Sequence, residues 1–303
     1  MAGSRYEYVK KFELPDPLLL GTFLVLRIDG HAFHKLSEAH DFTKPNDERA
    51  LQLMDHAARD VMNEFNDICL AFGESDEYSF LFRKSTTLYN RRQSKIITTV
   101  TSLFTSSYVY NWSKYLPDKE LMYPPSFDGR IVMYPSPKEI RDYFAWRQAD
   151  SERPDDFMNA PAEGTNNQLE AHINNLYNTV FWALVLQGDE STTQAHATLR
   201  GTVSSTKHEM LHSRFSINYN SLPARFRKGS VLVREQVMPE KAVLLAPAAE
   251  GAASTPGVEG PGIPQSSTRK PPKKPKAQYT VELLHCDIIG DEFWDQRPYL
   301  LAE

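Results

Sequence analysis

Two short stretches hold the acidic residues best placed for chemistry: LVLRIDGHAFHKL, Leu24 to Leu36, and AFGESDEYSFLF, Ala71 to Phe82. The first is an apolar run closed by Asp29-Gly30. The second is two apolar runs joined by a tight acidic turn, Gly73-Glu74-Ser75-Asp76-Glu77. A carboxylate at the end of one strand and another in a hairpin turn can lie side by side on a sheet. Such a pair can hold two divalent metals against a nucleoside triphosphate, orient it, and neutralise charge at the attacking and leaving oxygens. That is the arrangement of phosphoryl and nucleotidyl transfer. Asp29 and Asp76 are the ligand candidates. Glu74 and Glu77 are further acids, and hairpin alternation aims one of them away. Gly30 permits close backbone approach to a phosphate. Each acidic site alone also reads as an ordinary turn; their combination points to a metal–nucleotide site.

Other polar clusters stand near these stretches. His31 and His34 follow Asp29, as surface histidines on a short helix or as contacts to a triphosphate or base. Arg91, Arg92 and Lys95 crowd the first turns of a predicted helix over residues 89–115. Cations there oppose the helix dipole, so an anion is expected at that end, with a plain solvated basic face as the alternative. The run HINNLYNTVFW (His172 to Trp182) carries His172, Asn174, Asn175 and Asn178, more asparagine than a helix interior favours. Arg225, Arg227 and Lys228 form a basic turn suited to phosphate or to solvent. No Walker-type loop, zinc spacing or nucleophile elbow is present.

The elements that must carry these residues follow from periodicity. Leu24 to Ile28 reads as a buried strand. Residues 46–66 read as a helix, with Pro45 before it, Asn46 as cap, and Leu51, Met54, Ala58, Val61 and Phe65 on its apolar face. Ile68 to Phe72 and Tyr78 to Phe82 read as a hairpin. The order strand, helix, strand, strand begins a ferredoxin-like split βαβ sheet. Arg130 to Tyr134 is a further strand, residues 136–149 a helix, and helices are expected over 172–187, 192–200 and 204–213, with a turn and late strand over Lys228 to Val233. Five segments result. They are residues 1–150 with the acidic pair, a polar inserted loop over 151–171, a second part over 172–237, a Pro- and Lys-rich linker over 238–278, and an apolar terminal segment over 279–303 that docks on the body.

The bulk numbers narrow the class. A chain of 303 residues with 41% hydrophobic residues can form one large domain with appendages. The net charge of −5 does not advertise nucleic-acid binding, so any such partner must meet local basic patches. Cys69 and Cys286, in no metal or redox motif, exclude a disulfide scaffold and suit a reducing compartment. The charged start MAGSRYEYVKKFELPD lacks the apolar core of a secretory signal, and no apolar run approaches the ~18 residues of a membrane span. A cytoplasmic or nuclear setting and no membrane contact are expected.

At these residues the chain resembles the tRNA-histidine guanylyltransferase family of the eukaryotic type. RIDGHAFHKL, FTKPNDERALQLM, AFGESDEYSFLF, RRQSK, YPPSFDGR, WRQAD, HINNLYNT and INYN carry the resemblance over roughly residues 1–237, and the terminal HCDII and DEFW runs resemble fungal members. The resemblance implies an α+β fold, with a palm-like ferredoxin-type βαββαβ antiparallel sheet flanked by helices and a helical C-terminal region. It implies addition of one guanylate to the 5′ end of tRNA(His), in the 3′-to-5′ direction. ATP first adenylylates the 5′-phosphate, the 3′-hydroxyl of GTP then displaces AMP, and pyrophosphate is removed. Two Mg²⁺ ions per site, a homotetramer and recognition of the GUG anticodon are implied with it. By motif, Asp29 and Asp76 are the catalytic and metal-binding side chains, and Gly30 binds metal through its carbonyl. Asp29, Gly30, His31, Ala32, Phe33, His34, Ser75 and Asp76 match the nucleotide-binding positions. Lys44, Arg92 and Lys95 fall where phosphate contact is expected, and His172, Asn175 and Lys207 match positions tied to tRNA handling.

The chain departs from this pattern where residues 151–171 separate WRQAD from HINNLYNT, with Ala171 before His172. A tolerated surface insert and a retained short intron both account for it, since a long loop adds little closure entropy. The lysines of TRKPPKKPK (Thr268 to Lys276) can add nonspecific RNA affinity. Three other readings differ in function: templated 3′-to-5′ repair of tRNA 5′ ends, a nucleotide cyclase, and a noncatalytic tRNA-binding scaffold. Intact Asp29, Gly30, Ser75 and Asp76 argue against the scaffold, which needs no metal pair.

Overall fold

The structure is a computed structural model and describes residues 4–149, 175–236 and 279–302. Eight apolar-rich residues form β1 (Phe23–Gly30), after which the short helix α1 (Phe33–Ala39) begins. Helix α2 (Glu48–Glu64) leads to the hairpin β2 (Ile68–Glu74) and β3 (Glu77–Phe82), and α3 (Gln93–Tyr115) leads to β4 (Phe127–Tyr134). These strands lie in the order β4-β1-β3-β2 with antiparallel neighbours, the ferredoxin-type order the sequence predicts. The cap of α2 is one residue later than expected: the Asp47 carboxylate, not Asn46, accepts from the Arg49 amide.

Helix α4 (Pro137–Ala149) crosses the other face of the sheet. A helical unit follows, built from α5 (Asn175–Leu186), α6 (Thr192–Leu199), α7 (Ser204–Phe215) and α8 (Ala224–Lys228) around its own core of Leu176, Val180, Leu184, Leu199 and Leu211. The chain then returns to the sheet as β5 (Ser230–Gln236), which pairs with β2. After the second undescribed segment, β6 (Tyr279–Leu284) pairs with β5, extending the sheet to six strands, and α9 (Asp291–Asp295) buries Phe293 and Trp294. The expected insert over 151–171 and the linker over 238–278 lie outside the described residues.

Strand alternation divides the interior into two layers. Leu24, Leu26, Ile28, Tyr78, Phe80 and Phe82 face α2 and α3, while Phe23, Val25, Leu81, Val231 and Val233 face α4 and α9. A sheet covered on both faces holds its strand ends rigidly, and the acidic residues stand at such an end. Among the described residues no helix is long and apolar enough to cross a membrane.

Candidate active site

Asp29 is the penultimate residue of β1 and lies between Glu77 on β3 and Asp128 on β4. Asp76 occupies the two-residue turn Ser75-Asp76 that joins β2 to β3. The turn is tight: Glu74 pairs with Glu77 across it, and Ser75 takes a left-handed φ of +54°. A backbone bond from the Gly30 amide to the Asp76 carbonyl, 3.1 Å, ties the end of β1 to the turn. The two predicted ligands are thus brought to one place. Burial, and next the charge of Asp29, push the Asp76 carboxyl up to about 7. A buried carboxyl held up by its neighbour's negative charge marks a site lacking positive charge.

The remaining acids are assigned differently. Glu77 is the cross-strand neighbour of Asp29, yet its carboxylate is held by Arg147 of α4 at 2.8 and 3.0 Å, with Arg27 at 3.6 Å. It is buried and committed to those guanidinium groups, which corrects its reading as a spare acid of the hairpin. Among the described residues no cluster of three or more His, Cys, Asp or Glu side chains surrounds one point. The donor set on offer is therefore two carboxylates and nearby backbone carbonyls. All are hard oxygen donors, and the set leaves coordination positions for water and phosphate, as Mg²⁺ prefers.

The segment after Asp29 also differs from expectation in detail. Gly30 is required by packing: a Cβ there would stand 2.4 Å from the Phe33 ring. Phe33 in turn packs on Tyr108 and Phe127, with ring centroids 5.8 and 4.8 Å away, so its side chain serves the core. His31 and His34 are exposed around the start of α1, and Ala32 adopts a left-handed φ of +54°.

Of the basic candidates, Lys95 is exposed, 5.7 Å from the Tyr89 ring. Lys44 donates to Ser37 at 2.9 Å and lies 5.2 Å from the Trp182 ring, and burial lowers its pKa. Arg92 is engaged by Asp16 and Glu13, each at 3.0 Å. Asp16 also accepts from the Ser94 amide at 2.8 Å, so the anion expected at the start of α3 is supplied by the chain itself. Lys207 is buried, donating to the Thr202 carbonyl at 2.7 Å, and Asn175 is buried at the start of α5, where it accepts from Tyr219. His172 lies outside the described residues. The basic turn is likewise used internally: Arg225 pairs with Asp55, Arg227 with the Leu222 carbonyl and Lys228 with Asp287.

A polar cleft opens between the β2–β3 turn and the helical unit, lined by Asn46, Glu74, Ser75, Asn175, Asn178 and Arg225. Tyr78 and Asp55, which sequence reasoning passed over, also line it. One signal was legible: Asp55 falls on the apolar face of α2, between Leu51 and Ala58, where a carboxylate must find a buried partner.

Residues 6–135 match the family model for tRNAHis guanylyltransferase, and residues 165–290 match that for the Thg1 C terminal domain. The chain is 52% identical over 303 residues to a probable tRNA(His) guanylyltransferase of Drosophila melanogaster, covering 100% of this chain and 87% of the relative. It is 46% identical over 300 residues to the tRNA(His) guanylyltransferase of Schizosaccharomyces pombe, covering 99% and 98%. The crystal structure of the Saccharomyces cerevisiae enzyme superposes with a TM-score of 0.66 at 43% identity, over 76% of this chain and 93% of that one. A bacterial Thg1-like protein in complex with ATP shares the fold at 21% identity and a TM-score of 0.56, over 75% and 84%. The acidic strand end, the ferredoxin-type sheet and the full-length similarity converge, and the chain belongs to the tRNAHis guanylyltransferase family of nucleotidyltransferases.

Proposed function

We propose that this protein adds a single guanylate to the 5′ end of histidine tRNA, using ATP and GTP. The observation that carries the reading is the Asp29–Asp76 pair, joined through Gly30 and short of positive charge, in a chain of this family. Asp29 and Asp76 would hold two Mg²⁺ ions, with the Gly30 carbonyl as a further donor. Bound there, the metals supply Lewis-acid stabilisation of charge on the phosphate oxygens.

The protein's own groups orient the reactants. The 5′-phosphate of the tRNA attacks the α-phosphorus of ATP and pyrophosphate leaves. The 3′-hydroxyl of GTP then attacks the adenylylated 5′ phosphorus and AMP leaves, after which water attacks the α-phosphorus of the new 5′-triphosphate end, leaving a 5′-monophosphate and releasing pyrophosphate. The start of α1 offers His31, His34 and the amides of Ala32 and Phe33 to a triphosphate. Ser75 lines the cleft toward the helical unit, and Lys44 and Lys95 are the basic groups assigned to phosphate. The tRNA would lie along the helical unit, which carries Asn175 and Lys207; His172, the third residue assigned to tRNA handling, lies outside the described residues. With Asn175 and Lys207 buried, their part is to shape that unit. Assembly as a homotetramer fits the side chains of Phe12, Leu14, Leu19 and Leu20, which the N-terminal segment leaves exposed. A cytoplasmic or nuclear setting suits the free thiols of Cys69 and Cys286.

The test is one assay with purified protein, Mg²⁺, ATP, labelled GTP and 5′-monophosphate histidine tRNA, beside phenylalanine tRNA. Label on the histidine tRNA alone supports the reading. Label on both, or only opposite a templating base, favours 5′-end repair. No label, with the tRNA bound, directs attention to the 151–171 segment, and the next variant would delete it.

A further inference from the structure

A row of residues crosses the sheet just below the acidic turn. Ile28 on β1, Tyr78 on β3, Gly73 on β2 and Ser230 on β5 are successive cross-strand neighbours. The Tyr78 ring lies across Gly73, where a Cβ would meet it at 2.2 Å. From the other side Gly229, with φ +68°, presses on the same residue: a Cβ there would stand 2.6 Å from the Gly73 carbonyl oxygen. The base of the hairpin that ends in Ser75-Asp76 is therefore clamped between Tyr78 and the junction of α8 with β5.

The hydroxyl of Tyr78 is tied into a buried polar chain. It donates to one Asp55 carboxylate oxygen on α2 at 2.6 Å, and Ser230 hydrogen-bonds the same hydroxyl. The other Asp55 oxygen accepts from the Arg225 guanidinium of α8. Asp55 is only 5% exposed, so these partners replace the water it has lost. Arg225 is the one arginine of the helical unit among the described residues that forms an ion pair with α2. The polar chain thus runs from the helical unit, through the α2 carboxylate, to a residue two positions from Asp76.

We propose that Arg225, Asp55 and Tyr78 form a positioning relay, through which the seating of the helical unit on α2 sets the place of the Asp76 carboxylate. The relay rests on the reading of Asp76 as a cation ligand. Its logic is geometric. A two-residue turn has no slack, so a shift of Tyr78 along β3 moves the turn with it. A misplacement of about 1 Å at a reacting centre can cost about 100-fold in rate. An apolar residue at position 78 would fill the same volume; the hydroxyl adds only the direction in which the ring is held.

The test uses the full chain, with Mn²⁺ binding followed by electron paramagnetic resonance and single-turnover guanylate addition measured alongside. Tyr78→Phe should weaken Mn²⁺ binding and slow addition, each by about 5- to 10-fold, while tRNA affinity stays close to the parent's and the melting temperature falls only by the few degrees that one lost buried hydrogen bond costs. Arg225→Met should act in the same direction, and Arg225→Lys should recover part of the loss. The double variant Tyr78→Phe/Arg225→Met should be no worse than Arg225→Met alone, as expected of residues in one chain of contacts. If Arg225→Met does not fold, Tyr78→Phe and Arg225→Lys carry the comparison. Normal Mn²⁺ binding by Tyr78→Phe, or losses that multiply in the double variant, overturns the relay. Asp76→Ala with undiminished Mn²⁺ binding overturns the reading beneath it, and is seen separately.

Discussion

The turn at Asp76 and the start of α3 are two clusters of like charge, and the fold treats them oppositely. At the start of α3, Arg91 is buried against the Thr22 and Thr86 carbonyls, and Arg92 meets Asp16 and Glu13. Asp16 also caps the helix at Ser94, and its carboxyl is lowered to about 2, chiefly by the Ser94 hydroxyl and amide and then by Arg92. The two arginines are closed by the chain itself, while Lys95 stays exposed. At the turn, Asp29 and Asp76 stand together and Asp76 is raised to about 7. The guanidinium groups of Arg27 and Arg147 go to Glu77 instead. A cluster the protein neutralises is architecture, and one it leaves in conflict is a candidate for a counter-charge brought by a ligand.

The largest test of that contrast removes the conflict. Asp29→Ala or Asp76→Ala should lower both adenylylation and guanylate addition by about 1,000-fold or more, while histidine tRNA binding changes little, because phosphate contacts elsewhere supply most affinity. Either variant turning over near the parental rate would break the contrast at its acidic end. Next in size is Gly73→Ala. Its Cβ would meet the Tyr78 ring at 2.2 Å, where the ring cannot yield without leaving Asp55. A stability loss of about 1–3 kcal/mol in denaturant melts is expected from such overpacking. A neutral result would mean that the base of the turn is softer than its contacts indicate.

Proton linkage sharpens the same contrast. The folded-state pKa of Asp76 lies above the ordinary carboxylate value of 3.8, at about 7. Between those two values the folded protein keeps a proton that the unfolded chain has released. Stability without metal therefore falls as pH rises through that window and levels off above it. Melting temperatures in EDTA should drop by several degrees from pH 4.5 to pH 7.5, added Mg²⁺ should reverse the drop, and Asp76→Asn should flatten it. A slope that Asp76→Asn leaves unchanged would assign the effect to other groups.

Much of this was legible in the sequence because it depends on short-range pattern. The strand, helix, hairpin order and the placing of Asp29 and Asp76 follow from apolar runs and a turn signal, and the observed order β4-β1-β3-β2 agrees. What was not legible depends on partners distant along the chain. Nothing near Glu77 announces that Arg147, seventy residues later, will take its carboxylate. Nothing near Arg92 announces Asp16, and the basic start of α3 looked open for that reason. Gly30 and Gly73 were visible as glycines, but their reasons, Phe33 and Tyr78, belong to packing. Charge composition shows where compensation is required, and only the fold shows whether the chain provides it.

The smallest predicted effect is the one that tests the closed cluster. If Asp16 is structural, Asp16→Asn should leave guanylate addition within about two-fold of the parent and lower the melting temperature by only a degree or two, since asparagine can still accept from the Ser94 amide and a partly exposed ion pair contributes little. The sign with pH is opposite to that at Asp76. A carboxyl lowered from 3.8 to about 2 contributes stability above the unfolded value, and loses it as pH falls toward 2. A different outcome would be more informative. If the start of α3 is a phosphate site that Asp16 merely fills, removing the carboxylate charge frees Arg92. Histidine tRNA would then bind more tightly, with a salt dependence steeper by about one unit of slope. Salt titration of tRNA binding to Asp16→Asn separates the two, and an unchanged slope keeps the start of α3 on the architectural side.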